Sequence, residues 1–310
     1  MPPRTEQFEE YRSLLFSIAY RILGSVAEAE DAVQETWLRY ELSSTEPESP
    51  KAFLSSVVTR ICIDVLRSAR VRREEYTGPW FPEPLLDDPY EDPERAAELA
   101  DSVSMAALLL LERLSPLERA VFVLREVFGY GMPEVAAAVG RTEAACRQLA
   151  SRARRHMHEG RPRFEADRRE RDELAARFFS ALREGDVEGL RVVLAADVQV
   201  AGDGGGKAPA LARAVFGPDK AARLLASYAE LALLVQAELD LVELNGAPGA
   251  IVRDRDGNVM SCMVLEVRDG LVRSVRSVVN PDKLGHLGPV GDAYAFGREA
   301  RRARQERRAG

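Results

Sequence analysis

LSPLERAVFVLREVFGYGMPEVAAAVGRTEAACRQLASRARR, Leu114 to Arg155, decides how the middle of this chain folds. Ser115-Pro-Leu-Glu118 sets a hydroxyl at a helix entrance, proline at the first helical position and a carboxylate three residues after the cap, so a helix starts there. Leu117, Val121, Leu124 and Phe128 follow at helical spacing, and Gly129-Tyr-Gly131 stops the run. Pro133 opens a short helix over Glu134 to Val139, with Met132 a poor cap, and Gly140 supplies a tight turn. Thr142 caps a third helix reaching about Met157, with Cys146, Leu149, Ala153 and Met157 as its apolar stripe. Short helix, glycine turn and capped arginine helix at this spacing read as a helix-turn-helix.

Recognition helices read base edges with N-terminal residues and hold phosphates elsewhere. Thr142, Glu143, Ala144, Arg147 and Gln148 lie near the start of the third helix. Arg147 and Gln148 are the candidate base readers, with Glu143 as an acceptor for cytosine. Ser151, Arg152, Arg154 and Arg155 lie further along, and the three arginines are assigned to phosphates. The plainer alternative is a solvated basic face on an ordinary helical hairpin.

A second basic stretch runs from Pro50 to Arg73. Leu54, Val57, Ile61 and Val65 form its expected core side, while Ser56, Arg60, Ile63, Arg67 and Arg70 share the other, extended by Arg72 and Arg73. The loop Leu42 to Ser49 is free at its start to meet an exposed base. The formal charge of the 310 residues is -7. An acidic protein has no general attraction for DNA, so cationic charge gathered into two places implies two duplex contacts. Upstream, Phe8, Tyr11, Leu15, Ile18 and Ile22 form one stripe ended by Gly24, and Ser25 to Glu28 is a second capping box. The helix that follows buries Ala29, Ala32, Val33, Thr36, Trp37 and Tyr40. It turns outward Asp31, Gln34, Glu35 and Leu38, an acidic, partly apolar face that phosphates repel and a basic protein groove fits. A solvated acidic face is the alternative.

At 46% hydrophobic residues the chain has enough apolar material for two or three domains. Met105 to Leu111 is too short to span a bilayer and MPPRTEQFEE has no signal-peptide core, so a cytoplasmic protein without membrane contact is expected. Cys62, Cys146 and Cys262, scattered and odd in number, read as buried small hydrophobes, and neither a metal nor a cofactor is expected.

LGSVAEAEDAVQETWLRY (Leu23 to Tyr40) followed by RICIDVLRSARVRR (Arg60 to Arg73) resembles region two of bacterial extracytoplasmic-function sigma factors. Leu114 to Arg155 resembles region four, in the family's order and spacing. The resemblance implies that Asp31, Gln34, Glu35 and Leu38 meet the clamp helices of the largest RNA polymerase subunit. It implies that Ser56, Arg60, Arg67 and Arg70 engage −10 promoter DNA, and that Thr142, Glu143, Ala144, Arg147, Gln148, Ser151, Arg152 and Arg155 read the −35 element. LSSTEPESPKAF (Leu42 to Phe53) offers only Phe53 as an aromatic where many relatives place more, which leaves open which residue captures the unstacked base. Three further strings, YTGPWFPEPL (Tyr76 to Leu85), DGGGK (Asp203 to Lys207) and NPDKL (Asn280 to Leu284), are similar to the sigma-J-type subgroup with a SnoaL-like cone-shaped C-terminal domain.

The expected architecture is therefore multidomain: a helical region-two domain over 4–75, a proline-rich acidic linker over 76–93, a helix-turn-helix domain over 94–163, an α+β domain over 168–285, and a basic tail over 286–310. In the α+β part, helices are read over Asp172 to Glu184, Asp186 to Ala195 and Pro218 to Leu233. Strands are read near Val198 to Gly202, Ala237 to Leu241, Ile251 to Arg255, Val259 to Val267 and Leu271 to Val279, with Asn-Gly and Asp-Gly turns at 245, 256 and 269. DGGGK lacks the spacing of a phosphate-binding loop. Its glycines allow close approach of another chain, while Asp203 and Lys207 are an acid and a cation able to line a pocket or anchor a segment. Trp80 and Phe81 between prolines form a low-entropy apolar ligand for a groove, and DGGGK and Asn280, Pro281, Asp282, Lys283 and Leu284 are the candidate docking surfaces. The tail REARRARQERR (Arg298 to Arg308) is read as solvated, or as touching DNA or the acidic linker. The function expected is a promoter-specificity subunit of RNA polymerase core, regulated in cis by its last domain and not an enzyme. Two rivals remain: a ligand-sensing helix-turn-helix regulator, and a SnoaL-type enzyme fused to a DNA-binding arm. A small-molecule ligand of the C-terminal domain stays open.

Overall fold

Leu14 to Leu23 is buried on every side, so helix α1 (Arg4–Leu23) forms the centre of the first unit of the chain. This computed structural model describes residues 3–44, 46–74, 76–160 and 168–309, excluding the side chains of 69–74, 159–160 and 308–309. Gly24, at φ 70°, closes α1 by donating its N–H to the Tyr20 carbonyl. The Ser25 hydroxyl then accepts the Glu28 N–H and starts α2 (Val26–Glu41), followed by α3 (Pro50–Glu74). The remaining helices here are α4 (Ala96–Val103), α5 (Met105–Leu111), α6 (Pro116–Phe122), α7 (Met132–Val139) and α8 (Glu143–Gly160). A π-type turn over Val123–Val127 extends α6.

Residues Met1–Glu75 and Asp87–Arg161 form one unit, with α3 packed on α1 and α2 and also on α6 and α7. This corrects the sequence reading of α3. Its buried arc is Leu54, Ser55, Val58, Thr59, Ile61, Cys62, Ile63 and Leu66, far wider than one amphipathic stripe. Val57 and Val65, expected in the core, are only half-buried, and Ile63, expected on the polar side, is enclosed. Two buried arginines join the helical modules. Arg21 donates to the Ser102 hydroxyl (2.7 Å) and the Leu99 carbonyl (2.8 Å) and pairs with Asp88 (2.7 Å). Arg119 donates to the Ile22 carbonyl (2.8 Å) and to Glu112 (2.6 Å). A buried guanidinium is costly unless partners meet most of its charge, so these contacts hold the modules together.

Tyr76–Leu86 and Pro162–Gly310 form the second unit. Helices α9 (Arg168–Glu184), α10 (Val187–Val193) and α11 (Pro218–Leu234) pack together, and α9 and α11 also pack on one six-stranded sheet of β1 (Leu194–Asp203), β2 (Val215–Phe216), β3 (Glu238–Leu244), β4 (Ala247–Arg253), β5 (Val259–Arg268) and β6 (Leu271–Val278). The order is β2-β1-β6-β5-β4-β3, antiparallel except for the parallel pair β1 and β6. Phe178, Leu190, Val198, Leu265 and Val275 lie in the core between helices and sheet. This is the α+β arrangement expected for the C-terminal domain. Two expectations are corrected. The segment 76–93 is not one linker, because Tyr76–Leu86 groups with the α+β domain and the rest with the helices. The basic stretch within 286–310 is helix α12 (Ala293–Ala309), not a free tail. Ala300 is buried, and Arg304 pairs with Glu230 of α11 (3.1 Å). The expected domain ends at 75 and 163 lie outside the described residues.

Candidate functional site

Helix α8 sets a polar face opposite a buried one. Glu134 caps α7 by accepting the Gly131 N–H (2.7 Å), which removes the need for a polar residue at Met132. Gly140, at φ 63°, makes the turn, and the Thr142 hydroxyl accepts the Ala145 N–H (3.2 Å). Cys146, Leu149, Ala150, Ala153 and Met157 are buried. Directly opposite, Ala144, Gln148, Ser151 and Arg155 form an exposed stripe at i, i+4, i+7 and i+11, flanked by exposed Arg147 and Arg152. Arg147 pairs with Glu143 (3.1 Å) and Arg152 with Glu118 of α6 (3.1 Å), both arginines being more than half exposed. Pairs made by such exposed arginines contribute little and exchange readily for other partners. Burial works against the ionised form of Glu118, but the Ser115 hydroxyl and N–H, then Arg152 and His156, outweigh it and hold the carboxyl below its ordinary range.

On α3, Arg60 and Arg67 are exposed and Ser56 half-buried, while the side chain of Arg70 lies outside the described residues, as does Thr45 in the preceding loop. Arg60 is engaged within the unit. It donates to the Ala138 carbonyl (3.0 Å) and the Ala137 carbonyl (2.6 Å), which end α7. Beside it the Ser55 and Tyr130 hydroxyls meet at 2.6 Å. Asp64 lies among the exposed arginines and pairs with Arg67 (3.2 Å). Phe53 packs against Tyr40, with ring centroids 5.9 Å apart. On α2, Asp31 and Gln34 are exposed, Leu38 is 50% exposed, and half-buried Glu35 pairs with Arg39 (2.8 Å).

The densest polar cluster lies in the second unit, around Asp203 at the end of β1. Asp203 is fully buried, and one carboxylate oxygen accepts the Tyr76 hydroxyl (2.5 Å). The other accepts the Phe81 N–H (2.8 Å) and the Lys283 ammonium (2.7 Å). Lys283 also donates to the Phe81 carbonyl (2.5 Å) and sits 4.3 Å from the Trp80 ring centroid. Asn280 donates to the Tyr76 hydroxyl (2.9 Å). Burial, then the adjacent Asp203, pushes the Tyr76 phenol up. Further along, Leu85 and Asn245 exchange two bonds (2.7 and 3.0 Å), and His286 contacts the Pro84 carbonyl (2.5 Å). Gly205 and Gly206 pass close to the segment. A Cβ on Gly205 would lie 2.3 Å from the Asn280 amide and 2.8 Å from the Tyr76 hydroxyl, and one on Gly206 3.3 Å from Thr77. Gly204 and Leu284 are buried here too, with Pro281 half-buried, whereas Lys207 and Asp282 pair with each other at the surface.

Residues 7–72 match the family model for Sigma-70 region 2, and residues 104–157 match that for Sigma-70 region 4. The chain is 40% identical to the ECF RNA polymerase sigma factor SigJ of Mycobacterium tuberculosis over 89% of its own length and 92% of the relative's. It belongs to the extracytoplasmic-function sigma factors. The crystal structure of M. tuberculosis SigJ superposes with a TM-score of 0.70 at 36% identity, covering 91% of this chain and 98% of that one. A probable sigma factor SigI from the same species is 34% identical over 65% of this chain and 69% of its own. This sigma factor thus carries helical regions two and four followed by an α+β domain.

Three contributors to the linker dock escaped the sequence reading. Asn245 was read only as a turn residue, yet its left-handed backbone (φ 53°) accompanies a side chain that accepts the Leu85 N–H. His286 had no local signal beyond its nearness to the NPDKL segment, and Tyr76 stood in the quoted Tyr76–Leu85 string without a role of its own. Arg21 and Ser102, which join the helical modules, lie in stretches that read as plain amphipathic helix.

Proposed function

We propose that this sigma factor divides promoter recognition between α8, which reads the −35 element, and α3, which engages and opens the −10 element. The α2 face of Asp31, Gln34, Glu35 and Leu38 holds the clamp helices of the polymerase. It works in the cytoplasm by binding and DNA melting rather than by covalent chemistry. The observation that carries the reading is the solvent-facing stripe Ala144, Gln148, Ser151 and Arg155 set opposite the buried stripe of a capped helix.

The two elements, some 25 base pairs apart by their positions, are separated by about 85 Å of duplex at ~3.4 Å per step. A compact unit of this size has a radius of gyration of about 15 Å. The contact of α3 with α7 must therefore open on the promoter, which frees Arg60 from the end of α7. Tyr76–Leu86 connects the two modules, and its release from the Asp203 dock adds up to ~35 Å of extended chain. Docking of this segment is how the C-terminal domain regulates in cis.

In vitro transcription with core polymerase tests this. Gln148→Ala with Arg155→Ala should lower promoter-specific transcripts at least tenfold while core binding persists. Asp31→Lys with Glu35→Lys should weaken core binding itself. Unchanged transcripts from the first variant would overturn the −35 assignment. For regulation, Asp203→Asn should alter transcript yield from a promoter that the intact protein serves, and an unaltered yield would remove the dock from regulation.

A further inference from the structure

The α+β domain holds a cavity of about 460 Å³ on the face of the sheet that α9 and α11 pack against, beside their core. Small-molecule sites span roughly 300–1,000 Å³. Its wall follows strand alternation: Val275, Ser277 and Val279 come from the β6 side, and Met263 of β5 lies directly across from Ser277. Ser261 lies two residues before Met263, paired with Val252 of β4. The hydroxyls of Ser261 and Ser277 therefore face the same space from neighbouring strands. Neither takes part in a side-chain hydrogen bond among the described residues. Charge is confined to Arg183, Glu238 and Arg301, all exposed, and Arg183 is committed to the Leu239 carbonyl (3.0 Å).

The remaining wall is a helix. Ala293, Phe296, Gly297 and Ala300 of α12 line the cavity at i, i+3, i+4 and i+7. Two ion pairs hold α12: Arg255 with Glu299 (2.9 Å) and Arg304 with Glu230 (3.1 Å). All four side chains are at least a third exposed, so these pairs are weak latches.

We propose that this cavity binds an uncharged, largely apolar small molecule with one hydrogen-bonding group for Ser261 and Ser277, and that α12 is its lid. A charged ligand would be desolvated there with no buried counter-ion, which disfavours it. The thioether of Met263 adapts to an irregular apolar outline. Coverage by the chain's own helix favours a small molecule over a second copy of the chain. The site does not depend on which helix reads which promoter element.

The probe is N-phenyl-1-naphthylamine, a neutral fluorophore with one N–H, titrated into the full-length protein. A saturable rise in emission at one probe per chain is expected. Ala300→Trp, which fills the space from the lid, should abolish it, and Ser261→Ala with Ser277→Ala should weaken it about fivefold to tenfold. If circular dichroism shows Ala300→Trp unfolded, Ser261→Phe fills the space from the sheet instead. Unsaturable binding, or binding unchanged in the folded filling variant, overturns the proposal. So does a signal that disappears as the protein self-associates in sedimentation, which assigns the space to a second copy.

Discussion

Helix α8 and the Asp203 dock both depend on arginine or lysine beside carboxylates, yet they use charge in opposite ways. At the dock one buried carboxylate serves a phenol, an amide and an ammonium at once, and the lysine is further enclosed by aromatic rings. On α8 each pair is a single contact made by an exposed arginine, Arg147 and Arg152 being 60% and 57% accessible. Buried charge without its partner is costly, so the dock is committed to one ligand, its own linker. Exposed charge costs little to re-pair, which leaves the α8 arginines available for the DNA contacts proposed for them.

The largest expected effect tests the commitment of the dock. Asp203→Ala strands Lys283 and Tyr76 and should cost about 3–5 kcal/mol in urea unfolding of the full chain. Adding Lys283→Met should recover much of that loss. A cost below ~1 kcal/mol would erase the contrast with α8. Gly205→Ala places a methyl group against Asn280 and Tyr76 at a positive φ, for a penalty of about 1–3 kcal/mol. Limited proteolysis should then cut within Tyr76–Leu86 faster than in the parent. On α8, Gln148→Ala should cost about 1–3 kcal/mol of DNA affinity at one base position, by competition binding. Arg155→Ala should instead weaken all sequences alike and reduce the salt slope by about 1. The smallest effect belongs to Glu118, whose carboxyl is held below its ordinary value. Its stabilisation is complete above the ordinary carboxylate range and is lost as pH falls through the depressed value. Glu118→Gln should flatten that part of an acid unfolding curve followed by circular dichroism, by less than ~1 kcal/mol.

Elements with local causes were legible from residues alone. Ser115 with Glu118, Gly140 with Thr142, and the Asn-Gly and Asp-Gly turns each signal a boundary through their own backbone chemistry, and the structure places helices and strands accordingly. What eluded reading was decided by packing at long range. α3 is covered from two sides because α6 and α7 return to it, which no periodicity within Pro50 to Arg73 encodes. Arg60 meets the end of α7 for the same reason. In α12 the small stripe of Ala293, Phe296, Gly297 and Ala300 was present, but dense arginines around it read as solvent-facing. Of the candidate site, the exposed faces of α2 and α8 follow from helical spacing, whereas the partners that occupy Arg147, Arg152 and Arg60 do not.

The parallel pairing of β1 with β6 brings Asp203 level with Val278, so the glycine loop and the Asn280 to Leu284 segment share one end of the sheet. Those two halves are far apart in synthesis. The helical unit is complete by Arg161, but Lys283 leaves the ribosome more than a hundred residues later, an interval of about 6–25 s at ~5–20 residues per second. Every newly made chain therefore spends that interval with the helices of regions two and four finished and its linker without a berth.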